Sequence, residues 1–116
     1  MLQFFGYDKC STCREAKKFL KTKGLTFEDI DITQQPPSRK VFLSLLESGQ
    51  YRMPELFNRS GQMYRDLKMK EKINTLSEKE LLDLLTQHGK LVKRPVIIDG
   101  KKATVGFGDN QKKVWS

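Results

Sequence analysis

Two cysteines, Cys10 and Cys13, are spaced as Cys-x-x-Cys between a short apolar run and a stretch with helical periodicity. The apolar run covers residues 2–5 and is too short for a helix, so it favours a buried strand. After the cysteines, apolar residues recur at helical spacing as far as Gly24, a typical helix C-terminus. The pattern predicts a strand, a tight loop that carries both thiols, and a helix.

The two thiols are expected to differ in reactivity. The spacing of Thr12 and Glu15 predicts a capping box that starts the helix at Thr12. Cys13 then lies on the apolar face, whereas Cys10 lies in the loop before the helix, where free backbone N–H groups stabilise a thiolate. Arg14 adds a nearby cation. We therefore expect Cys10 to be the nucleophile and Cys13 the resolving thiol.

Three other uses of a cysteine pair fit this chain less well than redox chemistry does. A structural zinc site needs about four Cys or His ligands, and the chain offers two cysteines and the distant His88. A permanent cross-link is uncommon in a reducing cytosol, and a pair of small buried hydrophobic residues needs no such loop. The pattern favours a redox pair, with no metal and no organic cofactor.

Length and charge limit the other functions. With 116 residues, of which 37% are hydrophobic, the chain is predicted to form one domain. It shows neither a secretory signal pattern nor the roughly 18 apolar residues of a membrane span, so we expect a cytoplasmic protein without membrane contact, and a monomer. The net charge of +8 suits an anionic partner, but the cations are spread along the chain and favour a solvated surface. Because no nucleic-acid motif is visible, direct binding of nucleic acid is not expected.

The remaining chain predicts an α/β fold with a mixed sheet. Residues 26–32 favour a second strand, and a block of amphipathic helical segments follows. Residues 95–98 and 103–105 then favour two strands joined by a tight turn. The order β-α-β, helical block, β-β is that of an α/β sandwich.

Arg94 precedes Pro95 at the start of the third predicted strand. An X-Pro bond in such a place can be cis, and it would turn the chain towards the cysteine loop. The alternative interpretation is an edge-strand proline beside an exposed arginine.

These features together resemble the ArsC/Spx family, thioredoxin-fold proteins that include glutaredoxin-dependent arsenate reductases and redox regulators that bind RNA polymerase. The resemblance spans almost the whole chain and is carried, in family order, by YDKCSTCREAKKFL, DITQQPPS, LFNRSGQMYRDL, LLTQHGKLVKRPVIIDG and TVGF. It implies a thioredoxin-like sheet with flanking helices, interrupted by an all-helical insertion at about residues 36–88.

The resemblance also implies roles for individual residues. Cys10 takes the place of the nucleophilic cysteine, and the Arg94–Pro95 bond is expected to be cis, with Pro95 structural at the site. Arg94 matches an oxyanion-binding arginine of the arsenate reductases, and Arg14 matches an arginine of their cysteine loop. A guanidinium can bind arsenate oxygens bidentately while it stabilises an adjacent thiolate.

The chain departs from the arsenate reductases at three positions. Those enzymes place three arginines around the nucleophile; at the second position this chain has Asn58, with Arg59 beside it as the candidate anion-binding residue. At the third it has Gly106. Cys13 stands where the reductases carry a serine and the Spx-like regulators a cysteine.

We therefore predict a thiol-dependent oxidoreductase. Cys10 would attack arsenate or a protein disulfide, and Cys13 would close a Cys10–Cys13 disulfide. Glutathione, glutaredoxin or thioredoxin would be the reductant. The alternative is an Spx-like redox-sensing regulator that binds the α-subunit of RNA polymerase and uses the same pair as a switch.

Overall fold

The sheet positions the cysteine loop, and its strands are clear in the computed structural model, which describes residues 2–100 and 102–116. In those ranges the strands are β1 (Leu2–Gly6), β2 (Phe27–Asp31), β3 (Val96–Asp99) and β4 (Lys102–Val105). Their order is β2-β1-β3-β4. β1 pairs parallel with β2 and antiparallel with β3, and β3 pairs antiparallel with β4. The sheet is therefore mixed, and β1 lies in its centre.

Helices flank this sheet, and most of them lie between β2 and β3. The α-helices are α1 (Ser11–Thr22), α2 (Arg39–Glu47), α3 (Gln62–Asp66), α4 (Met69–Lys72), α5 (Glu78–Gln87) and α6 (Asp109–Trp115), and 3-10 turns cover Met53–Leu56 and Gly89–Leu91. This arrangement confirms the predicted fold class, a thioredoxin-like α/β sheet with an all-helical insertion. No helix in the described ranges is long and apolar enough to cross a membrane.

Strand alternation divides the core into two clusters. Leu2 and Phe4 of β1 face one side of the sheet, where they pack with Cys13, Ala16 and Leu20 of α1. The next residue along β1, Phe5, faces the other side and packs with residues of the helical insertion. Because side chains of a strand alternate between faces, a strand with apolar residues on both faces, such as β1, needs cover on both sides.

The C-terminal helix α6 adds Trp115 to the core cluster on the side of the sheet that α1 covers. This helix was not predicted from the sequence. Trp115 is buried there, and its indole N–H donates to the Thr104 hydroxyl at 2.9 Å. That bond satisfies the Thr104 side chain, which is fully buried in β4.

The end of the helical insertion packs tightly on the residue that follows β2. Gly89 is buried, and a Cβ atom at this position would overlap the backbone carbonyl of Ile32. Backbone cannot move aside as a flexible side chain can. Gly89→Ala is therefore expected to lower the free energy of unfolding by about 3 kcal/mol, measured by urea denaturation.

Gly24→Ala is the control for this prediction. Gly24 has a φ of +75° but nothing within 4 Å of its Cβ position, so only the left-handed backbone is penalised. We expect a loss of about 1 kcal/mol there. Equal losses in the two variants would contradict the packing argument for Gly89.

Candidate thiol site

The loop after β1 delivers Cys10 directly to the start of α1. The Cys10 amide donates to the Tyr7 carbonyl at 3.0 Å, and the Cys10 carbonyl accepts from the Arg14 amide at 3.1 Å. Cys10 is thus the N-cap residue of α1, in an extended conformation with φ −90° and ψ 118°. Its side chain lies where the first helical amides are free to donate.

The predicted start of this helix is wrong. Thr12 and Glu15 have the spacing of a capping box, but both lie within α1, and the N-cap is Cys10. The tight turn from Tyr7 to Cys10 begins the helix earlier than the side-chain pattern indicates. A capping box does form at the start of α5, where the Ser77 hydroxyl accepts from the Glu80 amide and the Glu80 carboxylate accepts from the Ser77 amide.

Burial separates the two thiols, which are both reduced. Cys13 is 0% exposed, whereas Cys10 is half-buried. Gly6 at the end of β1 makes room for the inner thiol, because a Cβ there would lie 3.2 Å from the Cys13 Sγ and 2.5 Å from the Phe4 ring. Cys13 is therefore shielded from solvent, and Cys10 is the thiol that a substrate can reach.

The surroundings of Cys10 favour its thiolate. Partial burial alone would raise the pKa of the Cys10 thiol, but hydrogen bonds from the amide and thiol of Cys13, the positive charge of Arg94 and the Thr12 amide outweigh it. The pKa of Cys10 is consequently lowered from its ordinary value.

The surroundings of Cys13 favour its neutral thiol. Burial raises the pKa of Cys13 to about 12, against a hydrogen bond from the Tyr7 amide. The hydrogen bond to Cys10 and the negative charge on Cys10 act in the same direction as burial, and Arg94 opposes them. Cys13 therefore keeps its proton at neutral pH, and its neutral thiol helps to lower the pKa of Cys10.

Arg94 reaches this site because of the sheet topology. Val96 of β3 pairs with Phe5 of β1, so the residues before β3 lie beside the loop that follows β1. The Arg94 guanidinium lies over the Tyr7 ring, with its central carbon 5.4 Å from the ring centroid. The Arg94–Pro95 peptide bond is cis, as the resemblance implies, and Pro95 is buried.

A cavity of about 740 Å³ opens in front of Cys10. Its cations are Lys9, Lys93 and Arg94, and no Asp or Glu is among the residues that line it. The other lining residues are Cys10, Ser11, Thr12, Asn58, Ser60, Gly61, Gly106, Phe107, Gly108 and Gln111. Such a set of charges attracts anions to the thiolate and stabilises it.

Two predicted anion-binding residues lie elsewhere. The Arg14 side chain is exposed, and its Nη1 donates to the Asp8 carbonyl at 2.9 Å. Arg59 is exposed between the 3-10 turn and α3, and its neighbour Asn58 lines the cavity. The structure thus brings Cys10, Cys13 and Arg94 together, and it does not bring Arg14 or Arg59 to the cavity wall.

Sequence reasoning did not single out Lys9 and Lys93. Each directly precedes a residue that it did select, Cys10 and Arg94 respectively. Their position next to a selected residue could have identified them, but many other lysines are spread along the chain and gave no reason to prefer these two. No three His, Cys, Asp or Glu side chains in the described ranges come together as a metal site would require.

Fold and site together define a thioredoxin-like protein whose Cys-x-x-Cys pair opens the first helix. The model of the ArsC family matches residues 5–114, and the chain belongs to this family. The resemblance drawn from the sequence motifs is therefore confirmed.

Relatives within this family differ in their described roles. YusI of Bacillus subtilis is 46% identical, over 95% of this chain and 93% of its own length. The global transcriptional regulator Spx of Streptococcus pneumoniae R6 is 30% identical, over 96% of this chain and 82% of its own. The crystal structure of a possible arsenate reductase from Streptococcus mutans UA159 is 39% identical, covers 92% of this chain and 91% of its own, and superposes with a TM-score of 0.84.

The opposite pKa shifts predict opposite alkylation profiles. In Cys13→Ser, the remaining Cys10 should reach half its maximal alkylation rate below about pH 8.5, the value of an ordinary thiol, because its thiolate forms at lower pH. In Cys10→Ser, the buried Cys13 should react well above that pH. Iodoacetamide rates between pH 5 and pH 11 measure both, and a faster Cys13 at pH 7 would reverse the assignment.

Arg94 is expected to lower the pKa of Cys10 through its charge. Arg94→Ala should therefore shift the alkylation profile of Cys10 to higher pH, and Arg94→Lys should restore part of the shift because it keeps the charge but not the planar fork. Lys70→Ala removes one positive charge from α4, outside the cavity, and is the control. Equal profiles for Arg94→Ala and Lys70→Ala would place Arg94 outside the electrostatics of the site.

Proposed function

We propose that this protein is a thiol–disulfide oxidoreductase in which Cys10 is the nucleophile and Cys13 the resolving thiol. The observation that carries the proposal is the position of the two sulfurs. Cys10 opens onto a cavity lined by three cations, and the buried Cys13 thiol lies one helical turn behind it in α1. One sulfur meets the substrate, and the other can reach only Cys10.

The first step forms a mixed disulfide. The Cys10 thiolate attacks one sulfur of a substrate disulfide, the substrate S–S bond breaks, and its second sulfur leaves as a thiolate that takes a proton from solvent. Arg94 stabilises the attacking thiolate before the step. The cations of the cavity offset negative charge on the leaving group.

The second step releases the substrate. Cys13 attacks the Cys10 sulfur, a Cys10–Cys13 disulfide forms, and the remaining substrate sulfur leaves with the proton that Cys13 gives up. The substrate has then gained two electrons, and the protein dithiol has lost two. Glutathione, glutaredoxin or thioredoxin supplies the electrons that reduce the Cys10–Cys13 disulfide again.

Arsenate fits the same sequence of steps. The Cys10 thiolate bonds to arsenic(V) and water leaves; the attack of Cys13 on the Cys10 sulfur then releases arsenite, which carries the two electrons. The likeness to a possible arsenate reductase and the cations of the cavity support this substrate. The neutral Asn58 and Gly106 at two positions where the arsenate reductases are described with arginine weigh towards disulfide substrates.

A redox regulator is the second candidate, and the similarity to Spx supports it. In that function the Cys10–Cys13 disulfide would alter a surface that binds the α-subunit of RNA polymerase. A pull-down of the purified α-subunit with the oxidised and the reduced protein separates the two functions. Binding that depends on the oxidation state, without turnover of either substrate, would replace the enzyme by the regulator.

The proposed steps predict different defects in the two cysteine variants. Cys10→Ser should abolish reduction of both a small disulfide and arsenate, because no attacking thiolate remains. Cys13→Ser should stop after the first step and accumulate a Cys10 mixed disulfide, which mass spectrometry detects as the added mass of half the substrate. Mild oxidation of the unaltered chain should join the cysteines within one molecule, and a predominantly intermolecular disulfide would contradict the role of Cys13.

A further inference from the structure

Lys93 lines the cavity, and hydrogen bonds on both sides hold its backbone segment in place. Its backbone amide donates to the Leu56 carbonyl of the helical insertion at 2.9 Å, which fixes the chain on that side. On the other side, the Gly106 amide donates to the Pro95 carbonyl at 2.9 Å, which holds the end of β4 beside this segment. Lys93 therefore lies between the insertion and the end of β4.

The absence of a side chain at Gly106 leaves the space that Lys93 uses. A Cβ atom at Gly106 would lie 2.9 Å from the Lys93 Cε and 3.6 Å from its Nζ. Gly106 is buried and has a φ of +76°, a conformation that other residues rarely adopt. The lysine stem thus rests on the glycine backbone, with its ammonium group at the cavity wall.

The Lys93 charge is not neutralised within the described ranges. The ion pairs found there involve Lys17, Arg39 and Lys112, and none includes Lys93. Arg94, by contrast, lies over the Tyr7 ring. With no acidic residue lining the cavity, the Lys93 ammonium is a cation available to a ligand in front of Cys10.

We propose that Lys93 binds an anionic oxygen group of the molecule that reacts at Cys10, with its stem resting on the bare backbone of Gly106. This inference rests on the proposed function and names the charge class of its substrates. The cavity of about 740 Å³ is of the size that accepts organic ligands, so the anion can be a carboxylate attached to a thiol compound as well as a free oxyanion. Lys93 is a binding residue and takes no part in the transfer of electrons.

Two alkylating reagents of similar size separate the effect of the Lys93 charge on a bound anion from its effect on the Cys10 thiolate. Iodoacetate carries a carboxylate beside the reacting carbon, and iodoacetamide is neutral, so the ratio of their rates at Cys10 cancels changes in the thiolate fraction. Lys93→Gln should lower the iodoacetate to iodoacetamide ratio about two- to fourfold at low salt, as expected for one unit charge nearby in water. The difference should vanish near 1 M salt, where charges are screened within about 3 Å.

Matched variants test the position of the charge. Lys93→Arg should keep the ratio, and Lys70→Gln, which removes an equal charge outside the cavity, should leave it unchanged. Gly106→Ala should lower the ratio by less than Lys93→Gln does, because the new Cβ shifts the lysine stem but leaves its charge near the cavity.

A free anion provides the second probe. Inorganic phosphate should slow iodoacetamide alkylation of Cys10 less in Lys93→Gln than in the unaltered protein if Lys93 binds free oxyanions. A changed iodoacetate ratio with unchanged phosphate protection would assign Lys93 to anions carried by an organic substrate. An unchanged ratio together with unchanged phosphate protection in Lys93→Gln would overturn the proposal.

These measurements are independent of the redox steps. Alkylation needs only the Cys10 thiolate, so the Lys93 result stands even if neither arsenate nor a disulfide is turned over. Conversely, turnover that is lost in Cys10→Ser but insensitive to Lys93→Gln for anionic and neutral disulfides alike would retain the oxidoreductase and reject the role of Lys93.

Discussion

The position of the Cys10 sulfur at the N-terminus of α1 is the constraint on which the site depends. α1 begins immediately after Cys10, and the amides of its first turn have no carbonyl acceptor within the helix. Partial burial raises the pKa of Cys10, and the backbone amides of Cys13 and Thr12 together with the charge of Arg94 lower it. Central strand β1 fixes the direction of the loop and thereby of the helix start.

The same turn gives the second thiol the opposite character. Cys13 lies one helical turn further into α1 and points at the core, where Gly6 leaves space for its sulfur. Burial keeps it neutral, and its nearest reaction partner is Cys10. One loop and one helix therefore supply the accessible and the buried thiol that the proposed two-step reaction requires.

The sequence was sufficient for the order of the four strands and for α1, because the short apolar run of β1 and the helical spacing of Cys13, Ala16 and Leu20 are strong local signals. The start of α1 was predicted wrongly from the Thr12 capping pattern. The turn closed by the hydrogen bond from the Cys10 amide to the Tyr7 carbonyl starts the helix earlier, at Ser11. Helix α6 was missed because it has few apolar residues, and its Trp115 is held by a hydrogen bond to Thr104 of β4, which the sequence pattern does not reveal. The directions of long side chains are likewise set by partners across the fold, and so neither Arg14 nor Lys93 could be placed from spacing.

Lys93 also gives a physical reason for the glycine in the TVGF segment. The arsenate reductases that this chain resembles are described with an arginine at the position of Gly106, yet even a Cβ atom there meets the Lys93 side chain. In this chain the long cation at the wall near the end of β4 is Lys93, the residue before Arg94. An ammonium group binds an anion as a point charge and lacks the planar fork that matches a tetrahedral oxyanion. With Lys93 at this wall and glycine at position 106, the cavity carries a positive charge there without the geometry of a guanidinium fork.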